Sequence, residues 1–194
     1  MKCDAKHMFC LAGCQWTDPC SRRCDLELFA CQKKVDDETG TRRSDAQILT
    51  GAGLCLDVNA PDLGNDGGRV QAWTCNRAPQ QRWTYDAATR AVRVASGLCL
   101  DVHAPEAGTN GGRVQVWACN GQPQQQWTPG ANRSLRNARG LCLDVHAPDQ
   151  RSNGARVQVW QCNGSQQQRF LSRIFADPKG QTFSKPGSVN SPGN

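Results

Sequence analysis

GLCLDVHAPEAGTNGGRVQVWACNGQPQQQW, residues 97–127, decides the fold, because the chain writes this passage three times. Residues 53–83 read GLCLDVNAPDLGNDGGRVQAWTCNRAPQQRW, and residues 140–170 read GLCLDVHAPDQRSNGARVQVWQCNGSQQQRF. The equivalent cysteines Cys55, Cys99 and Cys142 lie 44 and 43 residues apart. A period of that length marks one supersecondary unit copied around an axis. Polar and aromatic residues recur along with the apolar ones, so the copies can repeat a binding surface as well as a scaffold.

Within each copy the pattern is that of short strands. Each opens on Gln47-Ile48-Leu49, Ala91-Val92-Arg93 or Ser134-Leu135-Arg136. A glycine-bearing turn follows, then Leu-Cys-Leu-Asp-Val, whose alternation predicts a half-buried strand. A loop begins with Ala60-Pro61, Ala104-Pro105 or Ala147-Pro148. Asp66-Gly67, Asn110-Gly111 and Asn153-Gly154 are strong hairpin signals, after which Val-Gln-x-Trp returns. The cysteines of each copy predict the bridges Cys55–Cys75, Cys99–Cys119 and Cys142–Cys162. Each would close a loop worth about 3 kcal/mol in the chain-entropy picture. No helical period interrupts the copies, so this region reads as all-β. A propeller blade has a similar length, but three blades are fewer than propellers use.

Bulk properties narrow the class. Mean hydropathy is −0.64, and no apolar run approaches the ~18 residues of a membrane helix, so the chain reads as soluble with no transmembrane segment. Twelve cysteines in 194 residues point to an oxidising compartment. The expectation is a secreted, extracellular protein whose leader has been removed. A zinc protein is disfavoured by only three histidines and the lack of any Cys-x-x-Cys pair, so neither metal nor cofactor is expected. Net charge is +6, and residues 47–175 hold thirteen arginines against eight acids. Nucleic-acid binding calls for a continuous basic stripe. Here Arg69, Arg113 and Arg156 recur once per copy around the repeat axis, which reads as a solvated face, and no nucleic acid is expected.

The first residues follow another rule. Cys3, Cys10 and Cys14 fall on one helix face, as do Cys20, Cys24 and Cys31, with Asp18-Pro19 as a turn signal between. Residues 1–35 therefore read as a cysteine-rich α-helical hairpin. Six cysteines allow fifteen connectivities in principle; the nested one, Cys14–Cys20, Cys10–Cys24 and Cys3–Cys31, is the one that suits a straight hairpin. In layout it resembles the disulfide-stapled helical hairpins of plant defence peptides. Residues 36–46 are charged and read as a linker, and residues 176–194, rich in Pro, Gly, Ser and Asn, as a flexible tail.

The endings Gln81-Arg82-Trp83 and Gln125-Gln126-Trp127, with the CLDV…VQxW…C spacing, resemble the ricin B-chain-type lectins, which also serve as carbohydrate-binding modules. The resemblance covers residues 47–174. The third ending, Gln168-Arg169-Phe170, departs mildly. Membership implies a β-trefoil, three repeats (about 47–89, 90–132 and 133–175) around a pseudo-threefold axis. Trp83, Trp127 and Phe170 are then core residues, and Gln81, Gln125 and Gln168 tie a turn to backbone. The resemblance assigns shallow sugar sites to Asp57, Gln71, Trp73 and Gln80; to Asp101, Gln115, Trp117 and Gln124; and to Asp144, Gln158, Trp160 and Gln167. The chemistry agrees. A carboxylate accepts hydroxyl hydrogen bonds strongly, an aromatic ring covers the apolar sugar face, and amides both donate and accept. Gln71 and Trp73 share a strand face, as do their counterparts. In galactose-binding members an asparagine commonly precedes the glutamine of Gln-x-Trp. Here Gln80, Gln124 and Gln167 stand there, one methylene longer, a departure from the galactose-binding pattern that widens the expectation from galactose itself to galactose-type or related sugars. His103 and His146, where the first copy has Asn59, read as solvated loop residues.

The function expected is a multivalent lectin, not an enzyme, whose partners are glycans or polysaccharides, including cell-surface glycoconjugates. The tail favours an alternative, the targeting module of a larger secreted glycoside hydrolase or other enzyme. The hairpin favours another, a defence or inhibitor peptide delivered by the lectin. No GxSxG or HExxH motif is present, and the obvious carboxylates are repeat-equivalent, whereas a catalytic pair is normally asymmetric. Asn132-Arg-Ser and Asn163-Gly-Ser match the N-glycosylation signal.

Overall fold

The computed structural model describes residues 45–175. The expected hairpin, with its six cysteines, the linker up to residue 44 and the tail from residue 176 lie outside the described residues. Twelve strands make three units of four. The first holds β1 (Leu49–Thr50), β2 (Cys55–Val58), β3 (Gly68–Trp73) and β4 (Trp83–Asp86). The second holds β5 (Ala91–Val94), β6 (Cys99–Val102), β7 (Gly112–Trp117) and β8 (Trp127–Pro129). The third holds β9 (Leu135–Asn137), β10 (Cys142–Val145), β11 (Ala155–Trp160) and β12 (Phe170–Leu171). All pairings are antiparallel. β4 pairs with β5, β8 with β9, and β12 returns to β1, so each unit hands its last strand to the next and the ring closes. β3, β7 and β11 pair with one another around a pseudo-threefold axis. The fold is a β-trefoil, as the family resemblance implies.

The core is built by equivalent residues from the three units. Leu56, Leu100 and Leu143, then Val70, Val114 and Val157, then Trp83, Trp127 and Phe170 are all essentially fully buried. The first two of the aromatic set anchor themselves: Trp83 Nε1 donates to Leu56 O and Trp127 Nε1 to Leu100 O, both at 2.9 Å. Phe170 fills the same place without a donor. The opening strand of the first unit is shifted relative to expectation, starting at Leu49 rather than Gln47.

One expectation needs correcting. The Leu-Cys-Leu-Asp-Val strands are not half-buried. Every residue of β2, β6 and β10 is buried. Their leucine and valine face the core. Their outer face, Cys and Asp, is covered by the bridges Cys55–Cys75, Cys99–Cys119 and Cys142–Cys162 and by glutamine side chains. Alternation in sequence marked two faces correctly, but both are shielded. Each hairpin between these strands and the next turns on a glycine with positive φ, Gly67, Gly111 or Gly154, which an L side chain adopts only under strain.

Candidate functional site

Pairing register brings the conspicuous polar residues together. Asp57 sits directly across from Gln71, Asp101 from Gln115 and Asp144 from Gln158. In each pair the amide Nε2 donates to the carboxylate Oδ1, at 2.9, 2.9 and 3.0 Å. Gln81 Nε2 donates to Asp57 Oδ2 at 3.0 Å, and Gln168 Nε2 to Asp144 Oδ2 at 3.1 Å. Gln125 approaches Asp101 in the same way. The glutamine of each Gln-x-Trp ending also ties the turn to backbone, as expected. Its Nε2 donates to Thr74 O, Ala118 O or Gln161 O, and its Oε1 accepts from the backbone N of Asn76, Asn120 or Asn163, each at 2.8 Å.

Two layers result. The carboxylates are buried and held from two sides by amides. Burial pushes the Asp57, Asp101 and Asp144 carboxyls above the ordinary aspartate value, while the glutamine hydrogen bonds pull the other way. A carboxylate has about four acceptor positions, so two amides do not exhaust it. Above this layer stand the tryptophans. Trp73, Trp117 and Trp160 are 38, 40 and 40 % exposed, the only exposed large hydrophobics among the described residues. A ring of that size is left open at the equivalent place in all three units.

In the third unit the pieces enclose a depression of about 420 Å³ lined by Asp144, His146, Gln158, Trp160, Asn163 and Gln167. All four residues expected for that unit are in its wall. Gln80 and Gln124 occupy the corresponding half-buried place on their 3-10 turns, Pro79–Gln81 and Pro123–Gln125. In the second unit the buried Gln115 Oε1 has no hydrogen-bond partner, an acceptor that a ligand hydroxyl can satisfy.

Sequence reading missed two kinds of residue. His146 is half-buried and forms part of the pocket wall instead of being simply solvated; its Nδ1 lies 2.9 Å from Asp149 Oδ2, and His103 Nδ1 lies 3.2 Å from Glu106 Oε1. Asn163, whose counterparts follow the second cysteine in every copy, also lines the pocket. The larger omission is that each site is shared between units. Asn153 Oδ1 accepts from Thr74 N at 2.7 Å, Asp66 Oδ1 from Ala118 N at 2.6 Å and Asn110 Oδ1 from Gln161 N at 2.6 Å. The hairpin tip of one unit thus props the strand end that carries the tryptophan of another. A Cβ on Gly154, Gly67 or Gly111 would stand 3.7–3.8 Å from the ring of Trp73, Trp117 or Trp160. The Asx-Gly pairs were visible in sequence, but only as turn formers. Among the described residues no cluster of three or more His, Cys, Asp or Glu could hold a metal ion, and no helix is long and apolar enough to cross a membrane.

The model of the family described as the ricin-type beta-trefoil lectin domain matches residues 10–127 and 46–170. Among solved structures, the designed threefold-symmetric protein ThreeFoil is similar over 66 % of this chain and 99 % of its own, at 23 % identity and a TM-score of 0.57. The hemolytic lectin CEL-III is similar over 65 % of this chain and 29 % of its own, at 29 % identity and a TM-score of 0.54. The C-half of an earthworm R-type lectin, solved with GalNAc, matches at 18 % identity over 66 % of this chain and 95 % of its own, with a TM-score of 0.55. The alignment therefore spans nearly all of the first of these and less than a third of CEL-III. No curated protein matches the chain.

Proposed function

Because the chain belongs to the ricin-type β-trefoil lectin family, we propose that it is a multivalent carbohydrate-binding protein with up to three equivalent shallow sites. The observation that carries this reading is the unit repeated three times: a buried aspartate clamped by glutamine amides beneath an exposed tryptophan. The aspartate accepts hydroxyl hydrogen bonds, the tryptophan covers the apolar face of the ring, and Gln80, Gln124 and Gln167 supply amides at the rim. The sugars are of the galactose type or related to it, with the longer glutamine arm narrowing the rim relative to asparagine. The chain acts by binding and not by catalysis. Its ligands are glycans or polysaccharides, cell-surface glycoconjugates included. A disulfide in every unit suits an extracellular setting.

A single shallow site of this kind binds a monosaccharide with a Kd on the order of 1 mM, about −4 kcal/mol. Three sites raise apparent affinity for clustered glycans by about 10²-fold or more where spacing allows. A glycan array with the purified chain, followed by titration calorimetry on the best ligand, tests the proposal. Binding to a glycan family with up to three sites per chain is expected. Absence of binding to every glycan by the folded chain would refute it.

A further inference from the structure

Arg69, Arg113 and Arg156 occupy the same place in β3, β7 and β11, the three strands that meet around the pseudo-threefold axis. Each is exposed, as expected of a solvated face, but they do not spread apart. All three border one depression of about 440 Å³, whose floor is Val70, Val114 and Val157. The register explains the convergence. Arg69 pairs across from Gln115, Arg156 from Gln71 and Arg113 from Gln158, so each arginine lies where one central strand crosses the next.

Two of them also fasten hairpin tips. Arg69 Nη2 donates to Gly154 O at 2.6 Å and Arg156 Nη2 to Gly111 O at 2.5 Å. That uses one of about five N–H donors on each guanidinium. The carboxylate on the rim is Glu106, already occupied by the backbone N of Arg113 at 2.7 Å and by His103 Nδ1 at 3.2 Å. Three arginines thus border the depression beside one committed carboxylate, over an apolar floor. Converging like charges repel, and a low-polarity floor strengthens both that repulsion and the attraction of an anion that relieves it.

We propose that this axial depression is a binding site for a tetrahedral oxyanion of the sulfate or phosphate class. The planar forks of the arginines suit its oxygens. Gly111 and Arg156 border both this depression and the Asp144–Trp160 pocket. A sulfated or phosphorylated glycan seated on Trp160 can therefore place its anionic group on the axis. That extension to a glycan source rests on the carbohydrate reading above, whereas the site for the free oxyanion does not.

The test begins with inorganic sulfate, titrated into the full chain at constant ionic strength made up with chloride and followed by two-dimensional NMR. Saturable shifts confined to Gly67, Gly111 and the three arginine side chains are expected, with affinity lowered about fivefold or more in Arg113→Gln, since charge-assisted bonds are the strong ones. Arg113 is exposed and donates to no hairpin-tip carbonyl, so its variant keeps the fold; an unchanged shift pattern elsewhere verifies this. Shifts that grow linearly without saturation, or that are the same in Arg113→Gln, would overturn the site. A second arm compares a sulfated oligosaccharide with its desulfated parent. Tighter binding of the sulfated form, abolished in Arg113→Gln while the neutral form is unaffected, identifies the glycan as the source of the anion. Equal binding of both forms, with saturable inorganic sulfate binding, identifies the free ion instead. If neither saccharide binds, the carbohydrate reading fails while the sulfate titration still decides the axial site.

Discussion

Each candidate site hangs on an aspartate that the fold makes uncomfortable. Asp101 is buried, with its carboxyl raised above the ordinary value by that burial. Asp101→Ala should remove one binding site and lower the stoichiometry seen by calorimetry, without unfolding the chain. It also strands the Gln115 amide, a loss of about 1–3 kcal/mol for a buried donor left unpaired, visible as a lower Tm. The raised carboxyls give a pH signature. A strong acceptor needs the charged form, so glycan affinity should fall on acidification beginning above the pH at which an ordinary aspartate protonates. For stability the sign is opposite. A folded-state value above the unfolded one means that the native state holds the proton more tightly, so these groups detract from stability as pH rises from 3.8 through the raised value. Carboxyl carbon NMR across that range, beside a calorimetric pH series, measures both effects. An aromatic position offers a separate check. Trp127→Phe should cost about 1–3 kcal/mol through the lost bond to Leu100 O and the smaller ring, yet fold, because Phe170 already fills the equivalent place.

At the level of elements, the hairpin tips matter more than their turn role suggests. The tip carrying Asn110 and Gly111 belongs to the second unit but supports Trp160 of the third. Gly111→Val should therefore damage the third site and leave the second, whose own Asp101, Gln115 and Trp117 are untouched. Two causes combine: φ is +84° at this glycine, and a Cβ there meets Arg156 Nη2 at 3.4 Å and the Trp160 ring at 3.8 Å. Tryptophan side-chain NMR during a glycan titration would show which ring stops responding. Response lost at Trp117 instead of Trp160 would contradict the cross-unit arrangement.

Over the whole molecule, covalent closure and ring closure act together. Each of the three described bridges spans 20 residues, and a loop of that length is worth about 3 kcal/mol by chain entropy. Reducing them should lower Tm sharply and to a similar extent whichever unit is opened first, which single Cys75→Ala, Cys119→Ala and Cys162→Ala variants would reveal in thermal melts. The pairing of β12 with β1 makes the third unit dependent on the first, so unfolding is expected as one transition rather than three.

Much of this was written in the chain. Three copies of one passage fixed the number of units. Glycine after Asx fixed the hairpins, cysteine spacing fixed the bridges within each unit, and the repeated Asp, Gln and Trp positions named the residues of each candidate site. These features depend on residues close in sequence, where local geometry leaves few choices. What the tertiary structure alone decided depends on neighbours far apart. The Leu-Cys-Leu-Asp-Val strands are covered on both faces because glutamines from later turns fold over them. Each tryptophan rests on another unit's hairpin tip. Three arginines that look scattered, at positions 69, 113 and 156, meet on one axis because β3, β7 and β11 cross there. A repeat announces its period through contacts within one copy, but how the copies face one another is set only when the ring closes.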